Sequence, residues 1–295
     1  MTKRDGAVTT VPVLRPMDRT HILRIDCADR KGLVHTITGV LFRGGLNITS
    51  THEFVDRETL HFFMRTEFAG EFDREAVLGE LHASLPEDTR ISLSEKRRKD
   101  IVIMATREHH CLGDLLLRHR YGELNARVLA VLSNHGDLGE LVEKFDIPFH
   151  CVSHEGMSRE EHEDAVLKVM DLYGPEYIVL AKYMRILSHD FVDRFPNRVI
   201  NIHHSFLPAF IGASPYRQAY ERGVKIIGAT AHFVNHSLDE GPIIAQSVIP
   251  VDHTFGVEDM RQAGRDVEKV VLARALALAF EDKIFVNGNK TIIFD

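Results

Sequence analysis

Two polar residues in the C-terminal half have types and spacing that could act on a carbonyl group. Asn201 and His203 lie two positions apart at the end of the apolar run that begins at Val199. Alternate residues of a strand point to one side, so an amide and an imidazole would project together beyond its end. Such a pair can hold a carbonyl oxygen and stabilise the charge that it gains during nucleophilic attack.

A carboxylate follows in a turn-rich stretch, where Asp239 begins the run Asp-Glu-Gly-Pro. It could orient a water molecule and move its proton, as general acid-base chemistry requires. A simpler interpretation stays open at this point, because Asn and His at a strand end commonly cap backbone groups. Asp is also a common turn residue.

These residues belong to a region in which strand-like and helix-like patterns alternate. Residues 101–105 and 177–181 are continuous apolar runs, typical of strands that are covered on both faces. The alternation predicts an α/β, Rossmann-like domain over residues 99–295, with a mostly parallel sheet flanked by helices. Ligands of such sheets bind beyond the carboxyl ends of the strands, which here follow Ala105, Ala181 and Ile202. A long helix over 257–281 and a hairpin that turns at Asn287-Gly288 complete the domain.

The preceding region has a different order of elements. Residues 20–98 show strand, helix, two strands, helix and strand, which is the ferredoxin-like βαββαβ order. Its first helix is predicted to open at Asp29 and to end at Phe42. The charged run at 95–100 is interpreted as a solvated linker rather than a nucleic-acid patch. Residues 1–19 are predicted to be a flexible lead-in.

Composition narrows the classes of function. The chain has 295 residues, a formal net charge of -7 and three cysteines without a C-x-x-C pair. We therefore expect a cytoplasmic protein with free thiols and no nucleic-acid partner. No apolar run approaches the roughly 20 residues of a membrane span, and no signal peptide is evident. The histidines show no H-E-x-x-H spacing, so neither a metal nor another cofactor is expected.

Longer motifs around the three polar residues carry a family resemblance. The run NIHHSFLPAFIG begins at Asn201, GATAHFV begins at Gly228, and LDEGPIIAQ begins at Leu238. Together they resemble the signature of the formyltetrahydrofolate-dependent transferases and hydrolases. The resemblance covers about residues 99–295. It implies that Asn201, His203 and Asp239 are the catalytic residues.

The N-terminal region is similar to a second family. The run CADRKGLV from Cys27 and the run GLNI from Gly45 resemble an ACT domain, a family that often binds small amino acids. The resemblance implies tentative effector contacts at Asp29, Gly32, Leu33 and Asn47, although the polar ones are equally explained as turn residues. An ACT domain fused to such a catalytic domain is the layout of the formyltetrahydrofolate deformylases.

That layout implies hydrolysis of 10-formyltetrahydrofolate with water to formate and tetrahydrofolate. This reaction would supply formate for purine synthesis and balance the one-carbon pool. The same resemblance implies a folate pocket formed by Met184, Arg185, Ile186, Leu187, His232 and Val234. His232 is explained equally well as a hydrogen-bonded core histidine. ACT domains commonly pair, so a homo-oligomer is expected.

The nucleophile is the open question. The loop after Ala105 has only Gly113 nearby and carries the bulky His109 and His110, which disfavours a cradle for a phosphorylated acceptor. Arg107 could still meet an anion. The family layout implied by the resemblance favours hydrolysis. Transfer of the formyl group to a small amine is the alternative, and a non-catalytic sensor is the third hypothesis.

Overall fold

The computed structural model describes residues 19–208 and 215–295. The chain divides into two compact units, of which the first ends at Lys96 and the second begins at Arg97. The predicted lead-in, apart from Arg19, lies outside the described residues. Among the described residues, no helix is both long and apolar enough to cross a membrane.

The first unit has the predicted βαββαβ order, which confirms the ferredoxin-like fold. Its sheet is antiparallel, with the strand order β2-β3-β1-β4. Apolar residues of the sheet and of both helices form its core, including Ile25, Ile37 and Leu81. The elements are β1 (Thr20–Ala28), α1 (Leu33–Arg43), β2 (Asn47–Asp56), β3 (His61–Ala69), α2 (Arg74–Ser84) and β4 (Arg90–Glu95).

Helix α1 begins later than the sequence pattern suggested. The prediction opened it at Asp29, but the first helical residue is Leu33. Gly32 precedes the helix with φ 92°, a left-handed conformation that glycine adopts without steric cost. The chain therefore turns at Gly32 before the helix starts.

The second unit contains a seven-stranded sheet with the order β11-β10-β9-β8-β5-β6-β7. Strands β5 to β9 are parallel, and β10 and β11 add an antiparallel edge, which confirms the mostly parallel sheet. The strands are β5 (Lys99–Ala105), β6 (Ala126–Ser133), β7 (Phe149–Cys151), β8 (Tyr177–Leu180), β9 (Val199–His203), β10 (Ile226–Phe233) and β11 (Ile243–Pro250). The predicted hairpin forms a separate pair of strands, β12 (Ile284–Asn287) and β13 (Lys290–Ile293).

Helices cover the strands of this sheet. They are α3 (His110–Arg120), α4 (Gly139–Glu143), α5 (Arg159–Tyr173), α6 (His189–Arg194), α7 (Pro215–Arg222) and α8 (Val257–Phe280). Helix α8 contacts β9, β10 and β11, and it buries Val271, Leu272 and Ala275 in the main core. Helix α7 was not predicted. The sheet thus presents the ends of β5, β8 and β9 at one edge, where the predicted ligand contacts follow.

Two glycines give a matched test of this packing. A Cβ at Gly228 in β10 would lie 2.3 Å from the backbone oxygen of Ser247, whereas a Cβ at Gly113 in α3 meets nothing within 4 Å. We expect Gly228→Ala to destabilise the protein by about 1–3 kcal/mol because the paired strand must move. Gly113→Ala should stabilise it by about 0.5–1 kcal/mol. Urea unfolding measures both, and equal effects would contradict the packing described.

Candidate active site

Asn201 and His232 face each other across two adjacent strands. Strand β10 runs antiparallel to β9, and their register pairs Asn201 with His232. His232 Nδ1 lies 2.9 Å from the carbonyl oxygen of Phe233, so this nitrogen donates. The other ring nitrogen, Nε2, then accepts from the Asn201 amide at 3.3 Å. The backbone of β10 therefore fixes the tautomer of His232 and, through it, the orientation of Asn201.

Asp239 completes the catalytic group that the sequence predicted. Its Oδ1 atom lies 3.2 Å from His203 Nδ1 and 3.7 Å from His232 Nε2. Burial opposes ionisation of this carboxyl group, but the hydrogen bond from His203 outweighs it and holds the pKa of Asp239 well below its usual range. Asp239 is thus a carboxylate at neutral pH, placed to accept protons and to orient polar groups.

The loop that carries Asp239 allows little variation. Asp239 itself has φ 58°, which lies in the left-handed region. A Cβ at Gly241 would lie 1.7 Å from the carbonyl oxygen of Phe233 and 3.3 Å from His232 Nδ1. Only glycine fits there without moving the strand end. Gly241 is therefore a positioning residue that the sequence analysis passed over, although its place in a Gly-Pro pair was a signal.

A cavity of about 750 Å³ contains all the predicted catalytic and substrate residues of the second unit. Its walls include the trio Asn201, His203 and Asp239. The predicted folate contacts also line it, namely Met184, Arg185, Ile186, Leu187, His232 and Val234. The structure thus brings together residues from the ends of β8 and β9, from β10 and from the loop after β10.

The ends of β5 and β8 are tied together beside this cavity. The Thr106 amide donates to the Lys182 carbonyl at 3.2 Å, and the Met184 amide donates to Thr106 Oγ1 at 2.9 Å. Arg107, the possible anion contact, instead forms an ion pair with Asp137 at 3.6 Å and stays largely exposed. The loop after Ala105 therefore braces residues 182–187, which contain four of the predicted folate contacts and are called the substrate loop below.

A buried carboxylate that the sequence analysis did not single out lies behind the site. Glu268 of α8 is 1% exposed. Its Oε2 lies 2.7 Å from His110 Nε2 and 3.2 Å from Lys182 Nζ, and its Oε1 accepts from the Tyr216 hydroxyl at 2.8 Å. Burial opposes ionisation, but the hydrogen bond from His110 and the charge of Lys182 lower the pKa of Glu268 to about 2. The network joins α3, the end of β8, α7 and α8.

The possible metal ligands belong to this same network. His110, Cys111 and Glu268 offer donor atoms within 4.8 Å of one another. The ammonium group of Lys182 already contacts the Glu268 oxygen, and burial raises the pKa of Cys111 far above its usual range. A neutral thiol and a competing cation favour the hydrogen-bonded network over a metal site. The same raised pKa makes Cys111 a poor nucleophile.

Two aromatic residues follow the ends of β8 and β9. Tyr183 packs in a core cluster and also lines the cavity, whereas Phe206 is 40% exposed. Phe210 lies outside the described residues. In the first unit, Asp29, Gly32 and Asn47 are exposed near the ends of β1, α1 and β2. Leu33 is buried in the core of that unit.

Comparison with known proteins agrees with the two units. The model of the family described as "Formyl transferase" matches residues 99–276, and the ACT domain model matches residues 21–85. A formyltetrahydrofolate deformylase of Haemophilus influenzae is 59% identical over 272 residues, which cover 92% of this chain and 98% of that protein.

Two kinds of solved structure match this chain, one over nearly its whole length and the other over about two thirds of it. A formyltetrahydrofolate deformylase of Pseudomonas syringae pv. tomato superposes with a TM-score of 0.91 at 40% identity, covering 96% of both chains. A glycinamide ribonucleotide transformylase of Symbiobacterium toebii gives a TM-score of 0.64 at 32% identity. It covers 67% of this chain and 95% of its own.

The fold and the site thus define a protein of the formyl transferase class that carries an N-terminal ACT domain. Sequence identity to deformylases over nearly the whole length places the chain in one family of this class. The chain belongs to the formyltetrahydrofolate deformylase family, as its motifs predicted.

The Glu268 network generates a pH-dependent prediction. We expect Glu268→Gln to lower the free energy of unfolding by about 3 kcal/mol near pH 7, because it leaves Lys182 buried without its countercharge. The folded pKa of about 2 lies below the ordinary value of 4.5, so the carboxylate stabilises the protein above pH 4.5. This contribution is lost as pH falls toward 2. The difference between variant and wild type should therefore shrink as pH falls below 4.5.

Urea unfolding at several pH values measures this difference. Glu258→Gln on the same helix is the control, since Glu258 is 79% exposed and pairs with Arg261 at the surface. It should change the free energy of unfolding by less than about 0.5 kcal/mol at every pH. A Glu268→Gln effect as small as that of the control would contradict a structural role for the buried network.

Proposed function

We propose that this protein hydrolyses 10-formyltetrahydrofolate to formate and tetrahydrofolate. The observation that carries the proposal is the convergence of Asn201, His203 and an ionised Asp239 on one cavity large enough for a folate. Membership of the deformylase family supports the same reaction. The folate enters along the loop from Met184 to Leu187.

The reaction begins with polarisation of the formyl group. Asn201 donates from its amide to the formyl oxygen, and His203 stabilises the charge that develops there, best in its protonated form. The Asp239 carboxylate lies 3.2 Å from His203 Nδ1 and orients this imidazole. Each well-placed donor of this kind contributes about 10²–10³ in rate.

Water is the nucleophile in this proposal. Asp239 orients the water against the formyl carbon and accepts one of its protons, which it relays to the leaving nitrogen of the folate. The bond between the water oxygen and the formyl carbon forms, and the carbon–nitrogen bond breaks. Formate and tetrahydrofolate leave, and ionisation of the formic acid releases the second proton.

Formate release from purified protein, given 10-formyltetrahydrofolate and water alone, tests the reaction. We expect the wild type to release formate and Asp239→Asn to lower kcat about 10²–10⁴-fold, because the variant lacks the proton acceptor. Asp171→Asn is the control, since Asp171 pairs with Arg194 on the surface of the same unit. It should keep wild-type activity.

Two results would count against hydrolysis at this site. If Asp239→Asn released formate at the wild-type rate, the assignment of Asp239 would be wrong. If the wild type bound the folate, released no formate and formylated an added amine, the protein would be a formyltransferase.

We also propose that the ACT domain binds a small amino acid, and that the protein acts as a cytoplasmic homo-oligomer. The exposed Asp29, Gly32 and Asn47 surround polar turns of the ACT domain and support an effector site. The left-handed Gly32 opens the backbone at the start of α1, where an effector carboxylate can approach amide groups. Leu33 contributes packing beneath this site rather than an effector contact, because its side chain is buried.

A panel of the common amino acids, added to the full-length protein, tests the effector proposal. We expect one or a few to change kcat/KM by about 5-fold or more, a typical coupling between two sites. Asn47→Ala should weaken that response, whereas Glu71→Ala, an exposed change in the same unit, should preserve it. If every amino acid left kcat/KM unchanged and calorimetry detected no binding, the ACT domain would not be an amino-acid sensor.

A further inference from the structure

Next to His203 stands a second imidazole that the mechanism above does not use. The rings of His203 and His204 are stacked, with centroids 4.7 Å apart and planes 17° apart. Both side chains line the large cavity. The Nε2 atom of each ring is buried and has no hydrogen-bond partner within the described part of the chain. Buried polar atoms normally have partners, so these two nitrogens are placed for a ligand.

Contact with Lys182 determines which ring nitrogen of His204 carries the hydrogen. Lys182 Nζ lies 3.3 Å from His204 Nδ1, and an ammonium group can only donate. His204 Nδ1 therefore accepts, and the ring carries its hydrogen on Nε2. Burial, and then the charges of Lys182 and His203, lower the pKa of His204 to about 4. His204 is thus a neutral imidazole with a fixed Nε2–H donor at neutral pH.

Lys182 is held in place at a conformational cost. It follows the end of β8 with φ 65°, a conformation that residues other than glycine adopt rarely. Its side chain is 5% exposed and lies 3.2 Å from the Glu268 carboxylate. Strained backbone persists where the surrounding structure enforces it, commonly at functional sites. A buried ion pair is also weak evidence for a role in stability alone.

The two residues also separate the large cavity from a smaller one. Lys182 and His204 line a second cavity of about 240 Å³, together with Tyr216 and Glu268. An amine acceptor would need an approach to the formyl carbon that differs from the folate's own. The wall formed by Lys182 and His204 stands between the reacting centre and this second cavity.

We propose that His204, oriented by Lys182, binds the attacking water and makes the site hydrolytic. The inference rests on the proposed function. The His204 Nε2–H donates to the water oxygen, while Asp239 accepts a water proton and a second lone pair of the oxygen attacks the formyl carbon. In the tetrahedral intermediate the two stacked imidazoles then form hydrogen bonds to neighbouring oxygens. His203 contacts the former formyl oxygen, and His204 contacts the former water oxygen. One water proton reaches the folate nitrogen, and the other leaves when formic acid ionises.

Competition between water and hydroxylamine tests this role. Hydroxylamine is a small amine that gives formylhydroxamate, whereas water gives formate. We expect His204→Phe, which keeps an aromatic ring but lacks the donor, to lower kcat for formate release about 10²-fold. The ratio of formylhydroxamate to formate should rise at least tenfold, since only the bound water loses its position. This ratio does not depend on the fraction of folded protein, so a folding defect alone would leave it unchanged.

His150→Phe is the matched control. His150 donates to or accepts from the Tyr173 hydroxyl at 2.6 Å and does not line either cavity. Its product ratio should equal that of the wild type. The inference is overturned if the wild type releases formate and His204→Phe shows the wild-type kcat and product ratio. If the wild type itself releases no formate without hydroxylamine, the proposed function fails first.

Discussion

One buried carboxylate holds together the elements behind the active site. Glu268 contacts His110 of α3, Lys182 at the end of β8 and Tyr216 of α7, and its own helix lies across the sheet. A charge at 1% exposure is costly unless each lone pair has a partner, and here both oxygens are engaged. The contact with Lys182 matters most for the site, because the substrate loop begins at that residue. The position of that loop therefore depends on an ion pair rather than on apolar packing alone.

The front of the site depends on a different constraint, the antiparallel pairing of β9 with β10. This pairing places Asn201 opposite His232, and the backbone carbonyl of Phe233 fixes the tautomer of His232. The loop after β10 then returns Asp239 to both histidines, which requires glycine at 241. The amide, the imidazole and the carboxylate are thus oriented before a substrate arrives. Preorganised dipoles of this kind need little reorganisation as charge develops in the reaction.

Periodicity and motifs predicted much of this arrangement but not its support. The spacing of Asn201 and His203 placed both at a strand end, and the strand-end rule located the cavity. Glu268 could not be singled out, because a glutamate in a long mixed helix has the same local pattern whether it faces solvent or a buried lysine. Its partner Lys182 lies far away in sequence, so only the fold brings them together. Helix α7 was missed because it is short and largely polar, although Tyr216 and Ala219 pack into a small core cluster.

The fold alone likewise does not distinguish hydrolysis from formyl transfer. The seven-stranded sheet is shared with a transformylase, and a carbonyl-binding amide, imidazole and carboxylate suit either nucleophile. What distinguishes the reactions is the surface that faces the nucleophile. An acceptor amine needs an open approach, whereas water needs a small polar contact that fixes its orientation. A neutral His204 backed by a buried lysine meets the second need and obstructs the first, so the same charges that stabilise the loop also select the nucleophile.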